Sequence, residues 1–204
     1  MKVQLIGHYG SDEIIACSAW TSTSRELTQE KRDRIPELLM RLAKQGHHTP
    51  FEKSALHFLV RTDIATHIHL LKHRIGVSIN AESARYKELT DDTSHSPIDW
   101  PVEWELELLA HCNESNRLYH QALKELTPIL GRKRAKESAR YFKPYASEIE
   151  ADIMFNWRSF VHFLRLRNTE DAQFEIRVLA SNMLDQVKEI VGNPFKATIE
   201  AFDL

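Results

Sequence analysis

Alternation of apolar and polar positions predicts three strands. In the first seven residues, Val3 and Leu5 share one face of an extended chain. Residues 55–62 alternate in the same way, and so do residues 148–155, where mostly acidic side chains separate the apolar ones. A period of two residues is typical of a strand with one buried face. The three segments therefore predict a small sheet.

A period of 3.6 residues predicts helices over much of the remaining chain. Thr28 is placed to cap the first of them, Pro36 breaks or kinks it, and Gly46 ends it. The predicted helices cover residues 29–45, 64–74, 103–126, 132–142, 157–166 and 171–191. Because helices outnumber strands and the strands are not regularly spaced between them, we expect an α+β fold, with helices packed around a small, mostly antiparallel sheet.

The predicted helix after Asp63 carries the most informative polar face. Its apolar stripe consists of Ile64, Ile68 and Leu71. His69 and His73 are four residues apart, so on a continuous helix they lie together opposite this stripe and can both point into a pocket. Stretches without a clear period are predicted to be irregular; they are residues 9–24, 76–86 and 97–101.

Composition limits the class of protein. The chain has 204 residues, of which 42% are apolar and 27% charged, which predicts one globular domain over residues 1–204. A net charge of −2 excludes a generic polyanion binder, and no nucleic-acid-binding motif is present. Two cysteines cannot form a disulfide framework, and no apolar run is long enough for a membrane helix or a signal peptide. We therefore expect a cytoplasmic protein without a membrane or nucleic-acid partner.

Eleven histidines raise the question of a metal site. His47 and His48 are adjacent, and His69 and His73 have a spacing that a metal could use. No cysteine or compact acidic group accompanies either pair, so no metal site is predicted.

The segment from Lys72 to Tyr86 concentrates groups that bind anions. Its cationic and hydrogen-bonding side chains are Lys72, His73, Arg74, Ser78, Asn80, Ser83 and Arg85. A loop of small residues can bring backbone N–H groups, hydroxyls and a guanidinium to one anion. The alternative interpretation is a helix C-terminus whose cations complement the helix dipole, followed by a surface loop.

This segment resembles the signature Arg-His-Arg-x-x-Ser-x-Asn-x-x-Ser-x-Arg-Tyr of the flavin-dependent thymidylate synthases. Further segments resemble other motifs of that family, in the same order. They are His48–Glu52, Ala139–Pro144, Asn156–Ser159, Phe163–Arg167 and Ala172–Glu175. Several separated motifs in order are a far more specific signal than one short pattern.

The resemblance implies a reaction and its ligands. The enzyme would methylate dUMP at C5 to give dTMP, with methylenetetrahydrofolate as the carbon donor. FAD would carry the hydride, and NADPH would reduce the flavin again. Because a cofactor does the redox chemistry, the protein mainly binds, orients and polarises. The resemblance also implies a homotetramer whose sites are shared between subunits.

The resemblance assigns roles to individual residues. The predicted nucleotide-binding residues are His69, Lys72, Ala81, Glu82, Ser83, Ala84, Arg85, Arg140 and Arg167. Arg167 is also the predicted catalytic residue, because a fixed cation against the uracil would stabilise negative charge as it develops. The predicted FAD-binding residues are Thr49, Lys72, His73, Arg74, Asn156, Arg158 and His162.

The chain departs from the family pattern inside the signature. Lys72 stands where an arginine is usual, so a point charge replaces a planar fork. The loop between Arg74 and Ser78 is one residue longer, and the usual acid is displaced to Glu82. His69 replaces a usual glutamine, His162 replaces a usual asparagine, and the N-terminal Arg-x-Ser element is not recognisable.

These departures leave three functions open. The first is thymidylate synthesis from dUMP, and the second is related C5 chemistry on another pyrimidine nucleotide such as UMP. The third is a non-catalytic relative that only binds a nucleotide or a protein. Arg85, Arg140 and Arg167 all remain at motif positions, which argues against the third function.

Overall fold

The computed structural model describes all residues from 1 to 204. The strands are β1 (Lys2–Tyr9), β2 (Ala55–Asp63), β3 (Val77–Ala81) and β4 (Glu148–Phe155). The helices are α1 (Asp12–Ala19), α2 (Gln29–Asp33), α3 (Ile35–Lys44), α4 (Ile64–Leu70), α5 (Val102–Leu130), α6 (Arg132–Ala139), α7 (Trp157–Arg167), α8 (Phe174–Lys188) and α9 (Lys196–Ala201).

The four strands form one antiparallel sheet in the order β1-β2-β4-β3. Alternation works as expected on the two central strands. On β2 every second side chain is buried, including Leu56 and Phe58, and on β4 the same holds for Ile153 and Phe155. The α+β fold with helices around a small antiparallel sheet is confirmed.

The chain forms two compact units, and all four strands contribute residues to both. Unit 1 comprises residues 1–2, 60–72 and 80–151, and unit 2 comprises residues 3–59, 73–79 and 152–204. The single domain over residues 1–204 stays a prediction.

Unit 2 has an aromatic core. The Phe160 ring lies 5.6 Å from that of Phe155 and 5.7 Å from that of Phe58, measured between centroids. Trp157 is fully buried and contacts Phe195 as well as Phe160. Large aromatic side chains bury the most area per residue, so this cluster fixes the start of α7 against the sheet residues of the same unit.

Unit 1 is built around the long helix α5. Tyr119 and Leu123 of α5 pack against Ala135 and Ala139 of α6. The Lys143 side chain is buried, where its ammonium donates to Asp92 and Asn116 at 2.7 Å and lies over the Tyr119 ring. None of the helices combines the length and the apolar character that crossing a bilayer would need.

The prediction of an irregular stretch over residues 9–24 was wrong. Residues 12–19 form α1, and the Ser11 hydroxyl caps it by accepting from the Ile14 N–H at 3.3 Å. Ser11 followed by two acidic residues is an N-terminal helix signal that the sequence does contain. The C-terminal helix α9 was not predicted either, because its N-cap residue, Phe195, is not a capping residue.

The helix after Asp63 is shorter than predicted. Asp63 does cap α4 by accepting from the Thr66 N–H at 2.8 Å, but the helix ends at Leu70. Its buried face consists of Thr66, His67 and Leu70, not of the predicted stripe Ile64, Ile68 and Leu71. Since Asp63 is itself buried, the cap fixes the rotation of this short helix. His73 lies beyond its end, so the predicted shared helical face with His69 was wrong.

The remaining differences concern element ends. The predicted loop over residues 76–86 begins with an edge strand, β3. Of the two expected effects of Pro36, the structure shows the break: α2 ends at Asp33, and Pro36 stands in the first turn of α3, as the absent N–H of proline allows. Helix α5 continues past Pro128 to Leu130, and α8 begins at Phe174.

Candidate active site

In unit 1, a tight turn follows β3 and carries the predicted phosphate-binding residues. The Ser83 carbonyl accepts from the backbone N–H groups of Tyr86 and Lys87 at 3.0 Å. The Ser83 hydroxyl accepts from the Arg85 N–H at 3.3 Å. The turn therefore holds Ser83 and Arg85 close together while the Arg85 side chain remains exposed.

Glu82 anchors this turn to the sheet. Its N–H donates to the Glu150 carbonyl at 2.9 Å, and its carboxylate accepts from the Glu150 N–H at 3.0 Å and from the Lys87 ammonium. Burial alone would raise the pKa of Glu82, but the hydrogen bonds from Lys87 and Glu150 outweigh burial and lower it. Glu82 is thus ionised and engaged within the protein at neutral pH.

Helix α6 orients the Arg85 guanidinium. The Nε–H of Arg85 donates to Glu137 at 3.0 Å, and this hydrogen bond lowers the pKa of the Glu137 carboxyl. The Lys136 ammonium donates to the Tyr86 carbonyl at 2.8 Å, which ties the turn to the same helix. Because Arg85 uses Nε for Glu137, its two terminal nitrogens can take a bidentate anion such as phosphate.

The other predicted nucleotide-binding residues of unit 1 lie on different elements. Arg140 is exposed and begins a short 3₁₀ turn three residues after Glu137. His69 is half-buried on α4, and Lys72 is exposed just after that helix. Ala81 ends β3, and Ala84 is buried within the turn.

In unit 2, the start of α7 is held by the lengthened loop. Asn156 caps α7 by accepting from the Ser159 N–H at 2.9 Å. The Ile75 carbonyl accepts from the Ser159 hydroxyl at 2.7 Å, and the Gly76 carbonyl accepts from the Asn156 N–H at 3.2 Å. Gly76 has a φ of +65°, and a Cβ there would collide with Asn156 and Ser159. The longer loop therefore requires glycine at this position.

The predicted flavin-binding residues of unit 2 supply donors suited to a pyrophosphate and a flavin edge. Arg158 is exposed in the first turn of α7 and pairs with Glu52 at 2.6 Å, while Arg74, Thr49 and His162 are exposed. The first turn of α7 contains no acidic residue, and its dipole favours an anion. Two exposed guanidiniums and a helix N-terminus fit the charge and donor needs of FAD.

Arg167 and His73 meet at the end of α7. The Arg167 Nε–H donates to His73 Nε2 at 3.1 Å, and His73 is buried. The His73 ring lies edge-on to Phe163 at 5.1 Å and to His162 at 6.1 Å between centroids. Arg167 is half-buried, and Leu164 packs on the buried side of the helix while Leu166 is exposed.

Two acidic residues at these sites were missed in the sequence. Glu52 ends the motif His48–Glu52, but nothing in that motif indicates Arg158, 106 residues away, as its partner. Glu137 pairs with Arg85 across 52 residues, and only its place three residues before Arg140 points to it. Neither contact follows from local sequence patterns.

Comparison with known proteins agrees with these motifs. Residues 4–192 match the family model described as thymidylate synthase complementing protein. The flavin-dependent thymidylate synthase of Pseudothermotoga lettingae is 30% identical over 194 residues, which cover 92% of this chain and 85% of the relative. That of Rickettsia typhi is 31% identical over 229 residues, which cover 98% of this chain and 75% of the relative.

A solved structure shares the fold along the whole chain. The UMP/dUMP methylase PolB from Streptomyces cacaoi, bound with 5-Br dUMP, superposes with a TM-score of 0.77 at 25% sequence identity. The match covers 99% of this chain and 94% of that one. The same methylase bound with 5-Br UMP gives a TM-score of 0.75. The chain therefore belongs to the thymidylate synthase complementing protein family, the flavin-dependent thymidylate synthases, and is an enzyme of the methyltransferase class.

Proposed function

We propose that this enzyme methylates dUMP at C5 to give dTMP, with methylenetetrahydrofolate as carbon donor and FAD reduced by NADPH. The observation that carries the proposal is the Arg85 guanidinium on its anchored turn. Glu137 holds Nε, so the terminal nitrogens are presented as a fixed fork for a phosphate monoester. A nucleotide monophosphate carries such a group at one end and a uracil ring at the other.

Each ligand has matching residues in this chain. Ser83, Arg85 and Arg140 offer a hydroxyl and two guanidiniums for the nucleotide phosphate. Reduced FAD, when bound, supplies the hydride that completes the methyl group. Arg158 and Arg74 would hold the pyrophosphate of FAD, while Thr49, Asn156 and His162 offer polar groups to the rest of the cofactor.

Arg167 is the proposed catalytic residue. Attack at C6 of a uracil ring places negative charge on C5 and on the conjugated oxygen of the C4 carbonyl. A guanidinium held in place before the reaction stabilises this charge more than it stabilises the ground state, and so lowers the barrier. His69 and Lys72 are proposed to contact the nucleotide near the flavin, together with the backbone of Ala81 and Ala84.

UMP is the second candidate substrate. The fold match to a methylase whose name gives both UMP and dUMP favours it, as does the loop that is one residue longer. With UMP the same C5 chemistry would give 5-methyl-UMP, and the ribose 2′-hydroxyl would need a place in the site.

The test is a reconstitution with each nucleotide. Purified protein with FAD, NADPH and methylenetetrahydrofolate should convert dUMP to dTMP, measured by chromatography and mass spectrometry of the product. Changing Arg85 to Ala should raise the KM for the nucleotide on the order of tenfold or more, because a charge-assisted bidentate contact is lost. FAD affinity should stay unchanged.

Arg117→Ala serves as the control, since Arg117 is an exposed residue of α5 that pairs with Glu114. If the enzyme prefers UMP to dUMP, UMP is the substrate and the proposal of dUMP is wrong. Absence of product from both nucleotides, in protein that carries FAD, would reject the proposed function.

We further propose that the enzyme is a cytoplasmic homotetramer. Helix α5 supports assembly because Val102, Leu106 and Leu109 recur at helical spacing and all three are exposed. Such an apolar face on a helix is typical of a protein contact surface. Cys17 and Cys112 are both free thiols, which fits a reducing compartment.

A further inference from the structure

The hydrogen bond between Arg167 and His73 constrains the protonation of the histidine. An arginine side chain only donates, so His73 Nε2 must supply a lone pair to the Arg167 Nε–H. A protonated imidazole has no such lone pair. His73 is therefore neutral in this arrangement, and its proton sits on Nδ1.

The surroundings fix the plane of the His73 ring. Only 6% of the residue is exposed, and the ring edge meets Phe163 of α7. A buried ring that is held on its side has little freedom to turn, so Nε2 points in one direction. The acceptor for Arg167 is consequently rigid.

The same contact fixes the guanidinium. A guanidinium is planar, so once the Nε–H direction is set by His73, the plane and the two terminal nitrogens of Arg167 are set as well. Those nitrogens carry the remaining four N–H donors, which are available to a ligand. Arg167 is the last residue of α7, where the helix dipole also favours a cation.

We propose that His73 is a positioning residue for Arg167. As a neutral imidazole protonated on Nδ1, it aims the terminal nitrogens of Arg167 at the pyrimidine ring of the nucleotide. This inference rests on the proposed function, since it takes the pyrimidine as the target of Arg167. The flavin contact that the family resemblance gives to His73 stays a prediction beside it.

The first test asks whether turnover depends on a hydrogen-bond acceptor at position 73. His73→Leu removes the acceptor and should lower kcat on the order of 10–100-fold, the loss expected for one hydrogen bond to a charged group. His73→Gln places an amide oxygen near the former Nε2 and should restore kcat to within about threefold of the wild type. FAD affinity, measured by flavin fluorescence, reports separately on the predicted flavin contact.

A double-mutant cycle then asks whether His73 acts through Arg167. If it does, His73→Leu combined with Arg167→Lys should lower kcat no further than Arg167→Lys alone. Arg165→Lys is the matched control, because Arg165 lies on the same helix but faces Phe202. Multiplied losses in the double variant would overturn the proposal.

The second test does not depend on turnover. Histidine-selective ¹⁵N labelling with NMR should show His73 as the neutral Nδ1–H tautomer at neutral pH, and Arg167→Lys should shift its signals. An Nε2–H tautomer or a charged ring would contradict the proposal directly. If the wild type neither binds nor converts a pyrimidine nucleotide, the proposed function fails, whereas these spectra still decide whether His73 accepts from Arg167.

Discussion

At the scale of single residues, each of the two key arginines is held through its own Nε–H group. Arg85 donates its Nε–H to Glu137, and Arg167 donates its Nε–H to His73. Each contact leaves the two terminal nitrogens available to a ligand. It also restricts the rotamers of the arginine side chain before any ligand binds. Because these side chains are already ordered, no binding energy is spent on ordering them when the ligand binds. This favours both affinity and catalysis.

His67 on α4 illustrates a residue whose burial costs stability. Its Nδ1 is buried without a hydrogen-bond partner, and burial lowers the pKa of the ring below the ordinary 6.5. The unfolded chain therefore binds a proton more readily than the folded one. Above the pKa of His67 in the unfolded chain, its titration costs the protein no stability. As the pH falls below that value toward the folded pKa, the free energy of unfolding decreases.

We predict that His67→Leu stabilises the protein by about 1 kcal/mol at neutral pH, because it removes an unsatisfied buried group of similar size. The loss of stability between about pH 7 and pH 5 should also become shallower. Urea denaturation at several pH values measures both effects. His111→Leu, at an exposed position of α5, should leave the pH slope as it is in the wild type. A destabilised His67→Leu protein with an unchanged slope would contradict the prediction.

At the scale of elements, local signals located most strands and helices but not their ends. The alternation over residues 148–155 coincides with β4, because Ile149, Ala151, Ile153 and Phe155 all meet the core. The helix of residues 64–74 was overextended, since its sequence has no stop signal before Gly76 and tertiary contacts end it at Leu70. Helix α9 was not predicted, because its N-terminal cap is Asp12, which is distant in the sequence.

Asp12 serves as the N-terminal cap of α9 across the chain. Its carboxylate accepts from the N–H groups of Ala197 and Thr198 at 2.7 and 3.0 Å, and from the Thr198 hydroxyl at 2.6 Å. Helix N-termini leave backbone N–H groups without partners, and the Asp12 carboxylate satisfies two of them. Burial outweighs these hydrogen bonds in its effect on the pKa of Asp12, which is raised, so part of their benefit is offset.

We predict that Asp12→Ala destabilises the protein by about 2–3 kcal/mol, because three hydrogen bonds to a charged group are lost. Asp12→Asn should be intermediate, since one amide oxygen remains as an acceptor. Chemical denaturation gives the free energy of unfolding for each variant. Glu30→Ala removes only an exposed contact with Arg34 and should cost less than about 0.5 kcal/mol. Equal effects of the two alanine substitutions would refute the capping role.

At the scale of the whole molecule, the order of motifs identified the family, but contacts decide how the site residues act. The residues of the turn and of α7 could be named from the sequence because several motifs occur in the order of the family. Their partners could not, since the His73–Arg167 contact spans 94 residues. Nothing in a local pattern reports which side chains meet over such a separation.

Assembly provides the prediction at this scale. Light scattering should give the mass of four chains, and Leu106→Glu should lower it, because a charge on the exposed apolar face of α5 opposes burial in a contact. Glu107→Gln, on the other side of the helix, should leave the mass unchanged. A wild-type monomer at micromolar concentration, with activity intact, would exclude the homotetramer.

The strand order has a consequence for how the chain reaches this structure. The central strands β2 and β4 are neighbours, although Arg61 and Glu148 lie 87 residues apart and His57 and Asp152 lie 95 apart. Pairing over such separations slows folding, because the entropy of closing a long loop is lost before stabilising contacts form. During synthesis, at about 5–20 residues per second, β2 would wait roughly 5–20 s for its partner. For that time its apolar face is open to aggregation or to a chaperone.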